Sequence, residues 1–206
     1  MRVLVITHGN DAIYGAATSL KLLLQNCSWD FDLVYMKTMS YNTTDENMRI
    51  YTDKKAGKVQ AFFLPFMWKS VMDKVSLRIQ CSYQVYRPFI FWDSFKLKKF
   101  INAGNYDYIL LNSLVLFPLI NKKSKYIVYV REMCVADRNL KKKLVHKLNQ
   151  ANRLIYIDPA LKNPLHEVKT RNTVINNPFD MSGLSGISPQ EIGERFPGID
   201  TNKIII

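Results

Sequence analysis

The sequence predicts an α/β protein with a doubly wound parallel sheet, and three patterns predict it. First, short apolar runs recur along the chain: residues 3–6 (VLVI), 106–113 (YDYILLNS), 124–132 (SKYIVYVRE) and 153–158 (RLIYID). A strand that is apolar on both faces belongs inside a parallel sheet. Second, helical spacing separates these runs, so the strands are joined by right-handed βαβ crossovers. Third, polar residues punctuate the carboxyl ends of the runs, which is where ligands bind in such sheets.

Taken in order, the first unit is residues 1–26, MRVLVITHGNDAIYGAATSLKLLLQN. A strand gives way at Tyr14-Gly15-Ala16 to a helix carrying Leu20, Leu23 and Leu24. Gly15 removes a side chain where the backbone bends, and Ala16 and Ala17 let another group approach the first turn. The free N–H groups and the positive dipole end there suit a phosphate or carboxylate. A plain tight turn would leave the same residues. Residues 31–37 (FDLVYMK) read as a second strand, and 40–55 as a polar surface excursion. Residues 58–63 read as a third strand. Leu64, Met67, Trp68, Val71, Met72 and Val75 follow helical spacing, with Pro65 suited to the first turn.

A further helix is expected from about Pro88 to Asn102, closed by a glycine cap at Ala103-Gly104-Asn105. Residues 137–150 form a basic helix and 172–176 (NTVIN) a last short strand. The tail differs in character: 181–187 has connector composition, and Ser188-Pro189-Gln190-Glu191 is a capping box. The final Lys203-Ile204-Ile205-Ile206 looks like a buried strand that stops as it starts, so the expected division is a domain over 1–180, then a linker and first strand of a second domain over 181–206.

The 206 residues suffice for a proper core, and 48% hydrophobic against 22% charged residues excludes a disordered chain. The formal charge of +12, from 29 basic and 17 acidic residues, favours anionic partners. Cys27, Cys81 and Cys134 are far apart and odd in number, as reduced thiols of a cytosolic protein are. Only four aliphatic residues precede Thr7, too few for a signal-peptide core, and no apolar run reaches the roughly 18 residues of a membrane span. A soluble or at most peripheral protein is therefore expected.

Thr7, His8, Gly9, Asn10, Asp11, Asn112, Ser113, Arg131, Glu132, Asp158, Asn176 and Asn177 all follow strands directly. Arg131-Glu132 stands out, because a charged pair continuing an apolar strand must be paired or bound to something. A local salt bridge would satisfy it equally. His8 suits a general base, a substrate hydrogen bond, or the fixing of its own loop. The histidines and cysteines have no metal-site spacing, and neither a Walker lysine nor a G-x-S-x-G elbow is present. The aromatic and basic segment 62–100 suits either core or a membrane-surface patch, with Trp92 to Lys99 its more open part. No nucleic-acid recognition motif is seen.

In succession, VLVITHGND with YGAATSL, YDYILLNS, KYIVYVREM, RLIYID, VINNPFD, SPQEIGERF and KIII resemble the amino-terminal half of a family-four glycosyltransferase of two-domain GT-B architecture. Tyr14 stands where that family has its first loop glycine, Asp158-Pro159 replaces a serine, and Pro178 replaces a linker glycine. The resemblance implies a Rossmann-like domain and transfer of a sugar from a nucleotide-sugar donor to a saccharide or lipid-linked acceptor, with retention. It implies no essential metal and no cofactor, the nucleotide-sugar being a co-substrate. This half would hold the acceptor, with Gly15 and Ala16 near the donor diphosphate and Asn112, Arg131 and Glu132 lining the cleft beside His8, Asn10 and Tyr14. The leaving phosphate would serve as base, so no catalytic side chain is assigned. The setting would be the cytoplasmic face of the inner membrane, in polysaccharide or glycoconjugate synthesis, with an anionic membrane surface as a further partner and no nucleic acid. Two alternatives stay open: a non-catalytic nucleotide- or phosphate-binding module, and a peripheral membrane-binding protein.

Overall fold

A computed structural model describes residues 1–8, 15–37, 44–53, 55–64, 77–134 and 138–175. The helix expected over 64–75 lies outside these residues except for Leu64, which is buried. The whole tail from 176, with its linker, capping box and final strand, also lies outside them.

At the centre is β1 (Arg2–Thr7), whose residues from Val3 to Thr7 are all buried. It is paired in parallel with β2 (Asp30–Met36) on one side and β4 (Tyr108–Leu111) on the other. Adding β3 (Val59–Phe62), β5 (Tyr126–Val130), β6 (Arg153–Tyr156) and β7 (Asn172–Val174) gives a seven-stranded, all-parallel sheet of order β3-β2-β1-β4-β5-β6-β7. This is the expected doubly wound, Rossmann-like arrangement.

Strand alternation splits the core in two. Val3, Val5, Leu33, Leu110 and Tyr129 face one side, where α1 (Gly15–Asn26) contributes Ala17, Leu20 and Leu24 and α2 (Asp45–Tyr51) contributes Met48 and Tyr51. Leu4, Ile6, Leu111, Val128 and Val130 face the other. That side is covered by α3 (Leu77–Gly104), α4 (Arg138–Leu148) and two 3-10 helices, Leu114–Leu119 and Pro159–Leu165.

Several expectations are corrected. The surface excursion over 40–55 contains α2, opened by a capping box in which Asn47 N–H donates to Thr44 Oγ1 at 3.1 Å. Helix α3 starts at Leu77, so Pro88 lies inside it and not at its first turn. An interior proline forfeits one hydrogen bond to the preceding turn, and the helix continues through that loss. Gly104 is the last helical residue, and the left-handed residue is Asn105, at φ 46°. Glycine serves a different purpose here: a Cβ at 104 would collide with the Tyr106 ring.

The amino edge of the sheet is tied together by Asp32, which is 2% exposed. Its Oδ1 accepts the Lys58 N–H at 2.7 Å, and its Oδ2 accepts Tyr106 O–H at 2.5 Å and Arg2 Nη2–H at 2.9 Å. Strands β1 and β2 and the segments entering β3 and β4 are thereby joined through one carboxylate. Gly57 makes room for it, since a Cβ there would lie 2.6 Å from Oδ1. Burial alone would push this carboxyl up; the hydrogen bonds from Tyr106, Lys58 and Arg2, with the Arg2 charge, outweigh burial and hold it below the usual range.

Asp32→Ala strands buried donors and is expected to cost about 3 kcal/mol in a urea titration. Because the folded carboxyl ionises below its ordinary value of 3.8, its contribution is full above that value and fades as pH falls through the lower folded one. The gap in urea midpoint between wild type and Asp32→Asn is therefore expected to narrow below about pH 4.

Candidate functional site

Strand order reverses between β1 and β4. The chain leaves β1 toward the α1 face and leaves β4 toward the opposite face, through the 3-10 helix Leu114–Leu119. The space between two such exits is where open α/β sheets bind ligands. His8 follows β1, Asn112 follows β4, and Arg131 and Glu132 follow β5. Four expected site residues thus gather at one edge. Gly15 and Ala16 open α1, which returns from β1. Asn10 and Tyr14 lie outside the described residues, as do the side chains at 15 and 16.

The pleat carries past the strand ends and sorts the polar groups into two rows. Thr7, Asn112 and Arg131 continue the parity of Val5, Leu110 and Tyr129, the α1 face. Buried Asn112 donates through Nδ2 to Thr7 Oγ1 at 3.4 Å and accepts Arg131 Nε–H on Oδ1 at 3.1 Å. The Asn112 N–H bonds Ile6 O at 2.9 Å, extending the β1–β4 ladder one step. The Arg131 guanidinium also lies over the Tyr129 ring, 4.7 Å from its centroid. Sequence reading missed Tyr129; its i,i+2 spacing to Arg131 was the available signal. A guanidinium carries four further N–H donors on its Nη end.

Glu132 continues the parity of Val130 and belongs to the second row. Its Oε1 accepts Ser113 O–H at 2.6 Å and its Oε2 the Leu114 N–H at 3.1 Å, while Ser113 Oγ accepts the Val115 N–H at 3.1 Å. The carboxylate therefore caps the 3-10 helix after β4, and Ser113 is its N-cap. Arg131 and Glu132 each have a structural partner on a different face. Asp158, also at a strand end, caps the helix Pro159–Leu165 by accepting the Ala160 N–H at 2.7 Å.

His8 is half-buried. Burial pulls its imidazole below the usual histidine range, the Glu132 carboxylate pulls it up, and the Arg131 guanidinium pulls it down again. The net direction is down, so the ring is neutral at pH 7 and carries one N–H donor and one acceptor nitrogen. This edge of the sheet thus carries a guanidinium, an amide, a neutral imidazole and a helix start, a set suited to an anionic, hydroxyl-rich ligand.

Glu132→Ala is expected to cost about 2 kcal/mol by removing the cap. Glu132→Gln, which keeps an acceptor for only part of that cap, should lose about half as much in the same chemical denaturation series.

No model of a known protein family matches the chain, and no curated relative matches it in sequence. Solved structures do match in fold. Anabaena HepE, in complex with UDP and glucose, is 14% identical over 95% of this chain and 49% of its own, with a TM-score of 0.56. Arabidopsis thaliana UGT89C1, complexed with UDP, is 14% identical over 97% and 55%, with a TM-score of 0.51. The lipopolysaccharide outer core galactosyltransferase WaaB is 10% identical over 88% and 47%, with a TM-score of 0.52. The chain spans about half the length of these proteins. Its fold is that of a Rossmann-like domain of the GT-B glycosyltransferase kind.

Proposed function

We propose that the chain is one half of a two-domain glycosyltransferase that moves a sugar from a nucleotide-sugar donor to a saccharide or lipid-linked acceptor, with retention. The observation that carries this reading is the placing of Arg131: its Nε is gripped by Asn112, its plane lies on Tyr129, and its row shares the sheet face that α1 covers. A held guanidinium and a helix start on one face of the sheet favour a diphosphate or another anionic group. The order of motifs resembling family four supports the reading, as do the UDP complexes of HepE and UGT89C1.

On this reading residues 1–180 hold the acceptor and residues 181–206 lead to a donor-binding domain. Arg131 and the first turn of α1, with Gly15 and Ala16, neutralise negative charge. Asn112 positions Arg131, and Glu132 fixes the loop after β4. Neutral His8 hydrogen-bonds a sugar hydroxyl. Asn10 and Tyr14 are assigned to substrate binding with them. The leaving phosphate takes the acceptor proton, so no side chain of this half is assigned as catalytic, and the reading includes no resident cofactor or metal. Polysaccharide or glycoconjugate synthesis in the cytoplasm, at the inner membrane face, is the matching setting.

The test is transfer from a panel of nucleotide-sugars by the 206-residue chain and by one extended through its own reading frame. The extended chain is expected to turn over and the shorter one not to. Arg131→Ala should lower kcat/KM about a hundredfold and Asn112→Ala about tenfold, with Arg131→Lys restoring little because a point charge lacks the fork. Turnover by the 206-residue chain alone would defeat the two-domain reading. Nucleotide binding without transfer by the extended chain would assign a non-catalytic module instead.

A further inference from the structure

Eight large apolar side chains are exposed among the described residues, and four of them, Phe89, Phe91, Trp92 and Phe95, fall within one stretch of α3. Phe91, Trp92 and Phe95 are 62%, 68% and 53% exposed, while Ile90 and Leu97 on the same helix are buried. At roughly 100° per residue, Phe91, Phe95, Lys99 and Trp92 share one outward arc. Lys98 borders it on one side and Lys96 on the other.

The ring contacts keep this face intact. Phe91 and Phe95 meet edge to face at 5.3 Å, and Lys98 Nζ lies 5.7 Å from the Phe95 centroid. Phe89 leans away toward Phe63, 5.3 Å between centroids. Asp93 is the sole acidic residue between positions 87 and 102. It is turned inward, accepting the Phe63 N–H at 2.9 Å and pairing with Lys96 at 3.4 Å. The outward arc is therefore aromatic and cationic without a carboxylate in its middle.

We propose that this face of α3 docks on an anionic lipid bilayer. Phe91, Trp92 and Phe95 enter the boundary between headgroups and acyl chains, and Lys96, Lys98 and Lys99 meet the lipid phosphates. Long lysine stems can lie along apolar surface while their heads reach the phosphates, and aromatic rings favour that depth. The net charge of +12 draws the whole chain to the same surface. No helix among the described residues is long and apolar enough to cross a membrane, so this helix would lie in the plane of the surface. The inference gives the membrane setting of the proposed function a specific surface, while its observations and its vesicle test do not depend on transfer activity.

The test is co-sedimentation of the 206-residue chain with phosphatidylcholine vesicles, with and without phosphatidylglycerol. Partitioning is expected to rise at least tenfold with the anionic lipid and to fall as salt is added. Trp92→Ala should lower it about tenfold and Trp92→Ala with Phe95→Ala further, with circular dichroism unchanged. A brominated lipid should quench the wild-type fluorescence, and Trp92→Phe should remove that quenching. Indifference to phosphatidylglycerol, undiminished binding by the double variant, or quenching that survives Trp92→Phe would overturn the proposal. So would capture of single-stranded RNA in place of vesicles, or self-association that Trp92→Ala abolishes.

Discussion

The reversal of strand order at β1 is the constraint on which the upper edge of the molecule depends. With β2 on one side and β4 on the other, the exits from β1 and β4 go to opposite faces, the arrangement at which open sheets bind ligands. Burial makes that geometry rigid. Val3, Leu4, Val5 and Ile6 are at most 4% exposed, and each buried side chain of this size contributes roughly 1.5–3 kcal/mol. Thr7 and His8 therefore leave a fixed support, and the Asn112 N–H bond to Ile6 O locks the neighbouring exit to it. A site built at such a place inherits its precision from the sheet.

Two adjacent charges act separately because of the pleat. Had Arg131 and Glu132 shared a face, they would have faced each other. Alternation instead sends Glu132 to Ser113 and Leu114 and Arg131 to Asn112 and Tyr129. One charge maintains the loop while the other is held on the α1 side of the sheet. His8 lies in the field of both, and burial decides its state between them.

What could be read in the sequence follows from what depends on local pattern. The strands around β1, β4, β5 and β6 were legible because burial on both faces leaves uninterrupted apolar runs, and the strand-end rule located His8, Asn112, Arg131 and Glu132. Their partners were not legible, since the contacts of Asn112 with Thr7 and Arg131 depend on the register between three strands. The helix α2 was masked by its polarity, although Thr44, Met48 and Tyr51 carried its cap and buried face. Pro88 and Gly104 misled for the same reason: each residue has a strong local preference that tertiary context overrode, by continuing the helix in one case and by the approach of Tyr106 in the other.

The basic residues are not all alike, and their partners separate them. On α4, Lys141 pairs with Glu167 at 2.8 Å and Lys147 Nζ donates to Ile120 O at 2.6 Å, so part of that helix's charge serves to fasten it to its neighbours. On α3, Lys98 rests on an aromatic ring that is itself exposed. A helix needing only to cover the sheet could satisfy it with Ile90, Leu97 and the partly buried Phe100 and Ile101. Outward rings add nothing to that packing and risk aggregation. Their presence between lysines, with Asp93, the one acidic residue between positions 87 and 102, turned toward β3, is the pattern expected when a surface is shaped by an external anionic partner and not by the core beneath it.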